Sequence, residues 1–226
     1  MKILAFDTCF NKTYIVLKDN EHNIVESEII ESNEQNYHSV YLIPKIRDIL
    51  VKHSMQVKDI DVIGVNIGPG SFTGIRAGVT IARVLAQQFD IKLVGIDSLQ
   101  ILSNINSNKN HTTVVLDARK NKVYYGEYEQ GRVITPPCLV EKNVLLQTIN
   151  KQSTIITDNT IGQFLLENGI NSINYEENDS ELGIYLESIV RDKALKNAEE
   201  YNWAKVKPLY IQPPSITKPK EKNSVF

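Results

Sequence analysis

Two rhythms of apolar and polar positions run along this chain. Ile3-Leu4-Ala5-Phe6 is an unbroken apolar run closed by Asp7-Thr8, the pattern of a buried strand. A turn at Asn11-Lys12 leads to the β-branched stretch Thr13 to Leu17, and a second turn at Asp19-Asn20-Glu21 leads to Ile24 to Ile30. Three strands so closely joined predict an antiparallel meander. From about Ser39 to Ser54 the period becomes helical, with Val40, Ile43, Ile46, Ile49 and Leu50 on one face. Pro44 falls inside this stretch, so it either sits near the first turn or kinks the helix. A strand over Asp61 to Ile67, a helix over Gly74 to Phe89 and a strand over Leu93 to Ile96 follow. The Asn- and Ser-rich segment Ser103 to Asn110 then reads as a boundary.

The second half repeats the first. Val114-Val115-Leu116 ends at Asp117 as Leu4-Ala5-Phe6 ends at Asp7, and a slide of 110 positions also superposes Asn11 on Asn121, Lys12 on Lys122 and Tyr14 on Tyr124. Either a strand–Asp–turn–strand unit is duplicated, or the match is chance in a chain rich in Asn and Lys. Further on, the pattern predicts a strand over Thr154 to Thr157, a helix from Ile161 to Asn168 closed by Gly169, and a longer helix from Asp179 to about Ala198. Asp179 or Ser180 would cap that longer helix, and Val206 to Ile211 would form a last short strand. On the duplication reading the chain is α/β and similar in layout to the actin, Hsp70 and sugar-kinase class. That class is the duplicated, actin-like/Hsp70-like (ASKHA, RNase H-like) two-lobe fold, with mixed sheets flanked by helices. The expected divisions are a lobe at 1–105, a lobe at 111–212 and a flexible Pro- and Lys-rich tail at 213–226.

Composition narrows the function. The 226 residues carry 25 basic and 27 acidic side chains, a formal charge of −2, which argues against a chain that grips nucleic acid unaided. The apolar run at the N-terminus is too short for a signal peptide or a membrane span, so a cytoplasmic protein without membrane contact is expected. Cys9 and Cys138 form no CxxC pair, and His22, His38, His53 and His111 show no HxxH or HxxxH spacing. A metal site is therefore not expected.

Three features could carry function. The loop Gly68-Pro69-Gly70-Ser71-Phe72-Thr73-Gly74 joins a strand to a helix, where amides and the helix dipole favour an anion. Asp7, Thr8, Gly68, Gly70, Ser71 and Thr73 are the candidate nucleotide or phosphate contacts, unless the loop is only a tight turn. It is neither a Walker A loop nor a GxSxG elbow. Along the next helix, Gly74, Gly78, Ala82 and Ala86 recur every four residues as a smooth stripe beside Ala77, Ile81 and Leu85. That stripe receives either a partner chain or the chain's own first helix. Asp7 and Asp117 would either face each other across a cleft, as an ATP-binding phosphotransferase or ATPase requires, or each cap a turn.

ILAFDT at the start, GPGSFTGIRAG in the loop and helix, and VLDARKNKVYYGEY in the second half together resemble the TsaB (YeaZ) family. The resemblance is clear from Met1 to about Tyr128 and returns weakly at Pro208-Leu209-Tyr210. It implies a non-catalytic scaffold or activator subunit, with no catalytic residues of its own. The complex so formed transfers a threonylcarbamoyl group to N6 of adenosine 37 in tRNAs reading ANN codons. The implied partners are a TsaD-type catalytic paralogue, a TsaE-type ATPase and, through the complex, tRNA. The chain would bring no cofactor of its own, ATP or ADP would sit at the complex interface, and a weak homodimer would form in the partner's absence. The paralogue carries an HxEGH-like metal motif, whereas this chain reads Gly95-Ile96-Asp97-Ser98-Leu99-Gln100 in that neighbourhood. The implied interface comprises Leu42 and Ile46 of the first helix with Gly74, Ile75, Ala77, Gly78, Ile81, Ala82, Leu85 and Ala86 of the second. Tyr210-Ile211-Gln212 departs from the Tyr-Leu-Arg ending of many relatives, and Cys9, Phe10 and Lys12 crowd a hairpin that is small-residued elsewhere.

Overall fold

In the computed structural model, which describes residues 1–31, 37–106, 108, 110–196 and 202–212, the meander forms as expected. Strand β1 (Lys2–Asp7) pairs antiparallel with β2 (Thr13–Asp19), and β2 with β3 (Ile24–Ile30). After helix α1 (Tyr37–Lys52) come β4 (Val62–Asn66), helix α2 (Phe72–Phe89) and β5 (Lys92–Ile96), both strands parallel to β1. A short helix α3 (Ser98–Leu102), capped by Asp97, was not expected. The second half then supplies β6 (Thr112–Asp117), β7 (Lys122–Glu129), β8 (Arg132–Glu141), helix α4 (Lys142–Thr148), β9 (Thr154–Thr157), helix α5 (Asn159–Glu167), β10 (Ile173–Asn174) and helix α6 (Leu182–Lys196). The sheet orders are β3-β2-β1-β4-β5 and β10-β9-β6-β7-β8, the same topology twice. The chain is a duplicated, two-lobed actin-like fold of mixed sheets flanked by helices.

Each lobe has an outer core. Leu4, Phe6, Ile15 and Leu17 meet α1 and α2, while Val115, Val123 and Tyr125 meet α4 and α5. A third core lies between the lobes and joins Ile3, Ala5 and Tyr14 to Val114, Leu116 and Tyr128. The helices that close it are exchanged. Helix α3 ends lobe one yet packs under the second sheet, where Leu99 lies 3.1 Å from the place a Cβ on Gly126 would take. Helix α6 follows the second lobe yet lies on the first sheet, with Val190 against Gly64 and Val16 against Gly183.

Several expectations change accordingly. Residues 182–196 and 202–212 do not stay with the second lobe; α6 lies on the first sheet, Trp203 and Val206 join the outer core of the first, and Leu209 donates its amide to the Ile67 carbonyl at 2.8 Å. Val206 to Ile211 is not a strand. The inward face of α1 is Leu42, Ile46, Ile49 and Leu50, leaving Val40 and Ile43 exposed; Pro44 lies inside the helix. The expected flexible tail at 213–226 lies outside the described residues. No described helix is long and apolar enough to cross a membrane.

Candidate functional site

The glycine loop is built around the first hairpin. Strand β4 ends at Asn66, Gly68 turns at φ +100°, and Ser71 caps α2 by accepting the Gly74 amide at 3.2 Å. A Cβ on Gly70 would lie 2.5 Å from the Cys9 carbonyl oxygen, one on Gly74 1.7 Å from the Thr8 carbonyl oxygen, and one on Gly78 2.4 Å from Thr8 Oγ1. Thr8 Oγ1 donates to the Gly74 carbonyl at 2.6 Å, and the Ser71 amide donates to the Cys9 carbonyl at 2.8 Å. Three glycines at four-residue spacing thus form a trough for the backbone of the chain's own Thr8-Cys9. The partner-groove reading of the stripe is corrected: Gly74, Ile75, Gly78, Ala82 and Ala86 are buried, as are Leu42 and Ile46 of α1. Ala77, Ile81 and Leu85 keep part of their surface.

Asp7 is sealed behind this trough. Its Oδ1 accepts the Cys9 amide at 2.6 Å and its Oδ2 accepts Asn66 Nδ2 at 2.8 Å. Burial pushes its carboxyl up to about 6 against those bonds. Asn66 Oδ1 in turn accepts the Gly68 amide and Ser98 Oγ, each at 2.9 Å. Asp7 is therefore the acceptor-only keystone of a buried network that shapes the loop.

The expected pairing of Asp7 with Asp117 fails for a reason of register. Asp7 stands opposite Tyr14, but Asp117 stands opposite Val123, because the second hairpin is one residue shorter. Side chains alternate between faces along a strand. Asp7 shares a face with Ile3 and Ala5 of the central core, whereas Asp117 follows Leu116, itself a central-core residue, and so turns outward toward Lys142 Nζ at 3.3 Å.

Between the lobes lies a cleft of about 550 Å³, within the range of small-molecule sites. Cys9, Phe10 and Asn11 with the loop Pro69 to Thr73 form one wall; Leu116 to Arg119, Tyr124 and Asp158 form the other. Of the candidate phosphate contacts, Gly70, Ser71 and Thr73 line it, whereas Asp7, Thr8 and Gly68 do not. Phe10 and Tyr175, with ring centroids 5.3 Å apart, crowd its floor, as the bulk at Phe10 implied. Asp158 accepts the Asp117 amide and the Ile161 amide, and burial raises its carboxyl above the ordinary value despite those bonds.

Sequence reasoning missed the turn over Arg119, Lys120 and Asn121, whose φ values are +62°, +49° and +61°. Three successive non-glycine residues in the left-handed region cost roughly 1–2 kcal/mol each. Only Asn121, a residue that tolerates this conformation, hinted at it. Among the described residues the one group of potential metal ligands is Asp19, Glu21 and His22, at the end of the first hairpin remote from the cleft. Both cysteines are free, with Cys9 buried.

A second surface lies on the helix pair. Val40, Ile43, Val51 and Val84 are 57–67% exposed. Beside them Ile43, Leu50, Val51, Met55, Val57 and Leu85 line an apolar hollow of about 240 Å³.

The family model described as TsaD, tRNA N6-adenosine threonylcarbamoyltransferase, matches residues 24–156. The chain is similar to the tRNA threonylcarbamoyladenosine biosynthesis protein TsaB of Bacillus subtilis (strain 168), 34% identical over 150 residues, 65% of this chain and 63% of that one. It is 32% identical over 133 residues to the protein of the same description in Escherichia coli (strain K12), 58% of this chain and 56% of the relative. The match thus spans less than two thirds of either relative's length. YeaZ from Pseudomonas aeruginosa superposes with a TM-score of 0.71 at 20% identity, covering 92% of this chain and 99% of that one, and so shares its fold.

Proposed function

The chain belongs to the TsaB (YeaZ) family, and from that premise we propose that it works in threonylcarbamoyladenosine biosynthesis on tRNA as a subunit without a reaction centre of its own. It pairs with a TsaD-type paralogue, which transfers the threonylcarbamoyl group to N6 of adenosine 37 in tRNAs reading ANN codons. A TsaE-type ATPase docks on the pair, with ATP or ADP at the junction, and the assembly is cytoplasmic. The observation that carries this reading is the unpartnered apolar surface of α1 and α2. Val40, Ile43, Val84 and the half-covered Ala77, Ile81 and Leu85 provide a contact that the buried glycine stripe does not. Burying a Val or Ile side chain is worth about 1.5–3 kcal/mol, so a handful of these residues supplies the centre of a stable interface. The same surface supports a weak homodimer when the partner is absent.

The phosphotransferase alternative is not retained, because the carboxylate it relies on, Asp7, does not reach the cleft. The test is capture of a co-expressed TsaD-type relative by the tagged chain. Ile43→Glu combined with Val84→Glu should reduce capture at least about 100-fold while leaving the thermal unfolding of the isolated chain unchanged, since it forces two charges into an apolar contact. Undiminished capture by the double variant would remove this surface from the interface.

A further inference from the structure

Helix α2 has two flanks. Ile81 and Leu85 lie toward α1, while Arg76 and Arg83, two helical turns apart, lie on the opposite side. On that side residues 202–212 run back along the helix as a strap. Trp203 lies beneath the Arg83 guanidinium at 5.7 Å, and Tyr210 accepts Arg76 Nε at its hydroxyl at 3.0 Å. Seven residues separate each pair of anchors, so strap and helix are antiparallel, with Lys205 and Lys207 between them. Phe72, at the head of the helix, stacks 4.4 Å under Arg76 and 5.4 Å from Tyr210; it and Tyr210 are 45% and 44% exposed.

The charge of this strip is all of one sign. Neither α2 nor residues 202–212 contain a single Asp or Glu, in a chain whose acids outnumber its bases by 27 to 25. On the helices and hairpins around it, Lys12 pairs with Glu31 and Asp179, Lys45 with Glu28, Lys52 with Glu26 and Lys142 with Asp117. Among the described residues, Arg76, Arg83, Lys205 and Lys207 have no carboxylate partner, and Nε of Arg83 has no hydrogen-bond partner at all.

We propose that the flank formed by α2 and residues 202–212 is a direct RNA-binding strip of this subunit, taking phosphates on its four unpaired cations and an unstacked base on its exposed aromatic pair. Cations along about 10 Å of helix match the charge density of a polynucleotide backbone. Exposed aromatic faces between cations favour nucleic acid over an acidic peptide, because bases stack where carboxylates cannot. The strip lies on the other side of α2 from the α1 contact, so both surfaces can be occupied together. The inference rests on the reading that the protein works on tRNA, and sharpens it by giving the RNA a place on this chain.

The experiment is fluorescence anisotropy of the full chain with a labelled RNA stem–loop at about 50 mM salt, repeated up to about 200 mM. Binding should weaken with a log–log slope near −3, about 0.7 for each of four cations. Arg76→Gln with Lys207→Gln should lower affinity about 5- to 10-fold and reduce the slope by about 0.7 per cation removed, about 1.4 in all. Tyr210→Ala should weaken the stem–loop but not a blunt duplex of equal charge. Lys45→Gln, on α1, should change nothing. No binding at low salt, an equal loss in Lys45→Gln, or displacement of the RNA by polyglutamate at equal charge would each overturn the strip. Partner capture is measured without RNA, so loss of RNA binding with capture intact overturns this inference alone, whereas loss of capture by the wild-type chain removes the reading beneath it.

Discussion

The two lobes share one topology, yet their first hairpins do opposite things. In the first lobe, backbone at Thr8 and Cys9 is pressed into a glycine trough, and the acid that ends the strand is sealed in a hydrogen-bond network. In the second, the turn after Asp117 is held in left-handed backbone and stands at the cleft, with its acid paired at the surface. Duplication copied the sheet, and a one-residue difference in hairpin length turned the two acids to opposite faces. A repeated motif therefore predicts repeated architecture, not repeated chemistry.

The contrast breaks most sharply at the glycine near the start of each lobe's corresponding helix, α2 and α5. Gly74→Ala places a methyl 1.7 Å from the Thr8 carbonyl, a backbone atom that cannot swing aside. A loss of about 3 kcal/mol or more is expected, with the hairpin displaced. In the second lobe, a Cβ on Gly162 of α5 would meet Thr157 Oγ1 at 3.1 Å and Ser172 Oγ at 3.6 Å, both ends of side chains. Gly162→Ala should then lie within about 1 kcal/mol of neutral, the helix preference for Ala offsetting the contact. Parallel urea unfolding of the two variants measures both; equal losses would mean that the trough is not what requires Gly74.

The paired acids give the next effect. Asp7→Asn sets an amide donor against Asn66 Nδ2, whose own oxygen is already committed to Gly68 and Ser98. The cost should be about 1–3 kcal/mol, whereas Asp117→Asn loses only a partly exposed pair worth about 0–1 kcal/mol. Asp7 also fixes a pH dependence. Its carboxyl titrates near 6 when folded and near 3.8 when not, so the folded chain binds the extra proton between those values. Stability contributed by this group is therefore greatest below the unfolded value and falls as pH rises through about 6, by up to roughly 3 kcal/mol. Asp7→Asn should abolish that fall, and chemical unfolding at pH 5 and 7.5 would reveal an unchanged slope if Asp7 were in fact solvated.

How much of this was legible follows the same physics. The meander, α2, β5, β9 and α5 could be read because local periodicity decides them. Helix α3 hid in the apolar stretch Leu99 to Leu102, its only local signal being the Asp97 cap. Strand β8 was masked by Pro136 and Pro137, which an edge strand tolerates because its outward amides need no partner. The four-residue glycine spacing announced a close approach but could not say of what; the answer, Thr8, lies 66 positions away. That the loop joins a strand to a helix was legible, while its position at a cleft, the inward turn of Asp7 and the left-handed run at Arg119 depended on tertiary context. The crossing of α6 to the first lobe was likewise silent, since a helix's amphipathic face does not name its sheet.

That crossing yields a smaller effect. Glu187 of α6 is buried with Oε1 lacking a hydrogen bond; burial raises its carboxyl above the ordinary value, and Arg191 Nη1 at 3.6 Å only partly opposes this. At neutral pH the charged form therefore costs stability. Glu187→Gln removes the charge and keeps the shape, so it should stabilise the chain by about 1 kcal/mol at pH 7, with the gain shrinking as the pH is lowered and the wild-type carboxyl becomes protonated. A destabilised Glu187→Gln would show instead that the Arg191 pair holds α6 on the first sheet.

The smallest effect belongs to the second hairpin. If the left-handed run exists to hold Arg119 at the cleft, the backbone there is less stable than it could be. Lys120→Gly removes the steric penalty of a Cβ at φ +49° and should raise the melting temperature by a few degrees, about 0.5–1 kcal/mol. Glycine also frees the unfolded chain, which subtracts from the gain, so the expected stabilisation is smaller than the folded-state strain alone. The same substitution in the first hairpin has no counterpart, because none of residues 8–12 adopts positive φ. A Lys120→Gly variant that melts lower than the wild type would mean that the side chain's own contacts outweigh the strain, and that the second hairpin, like the first, is held by what it touches rather than by how it turns.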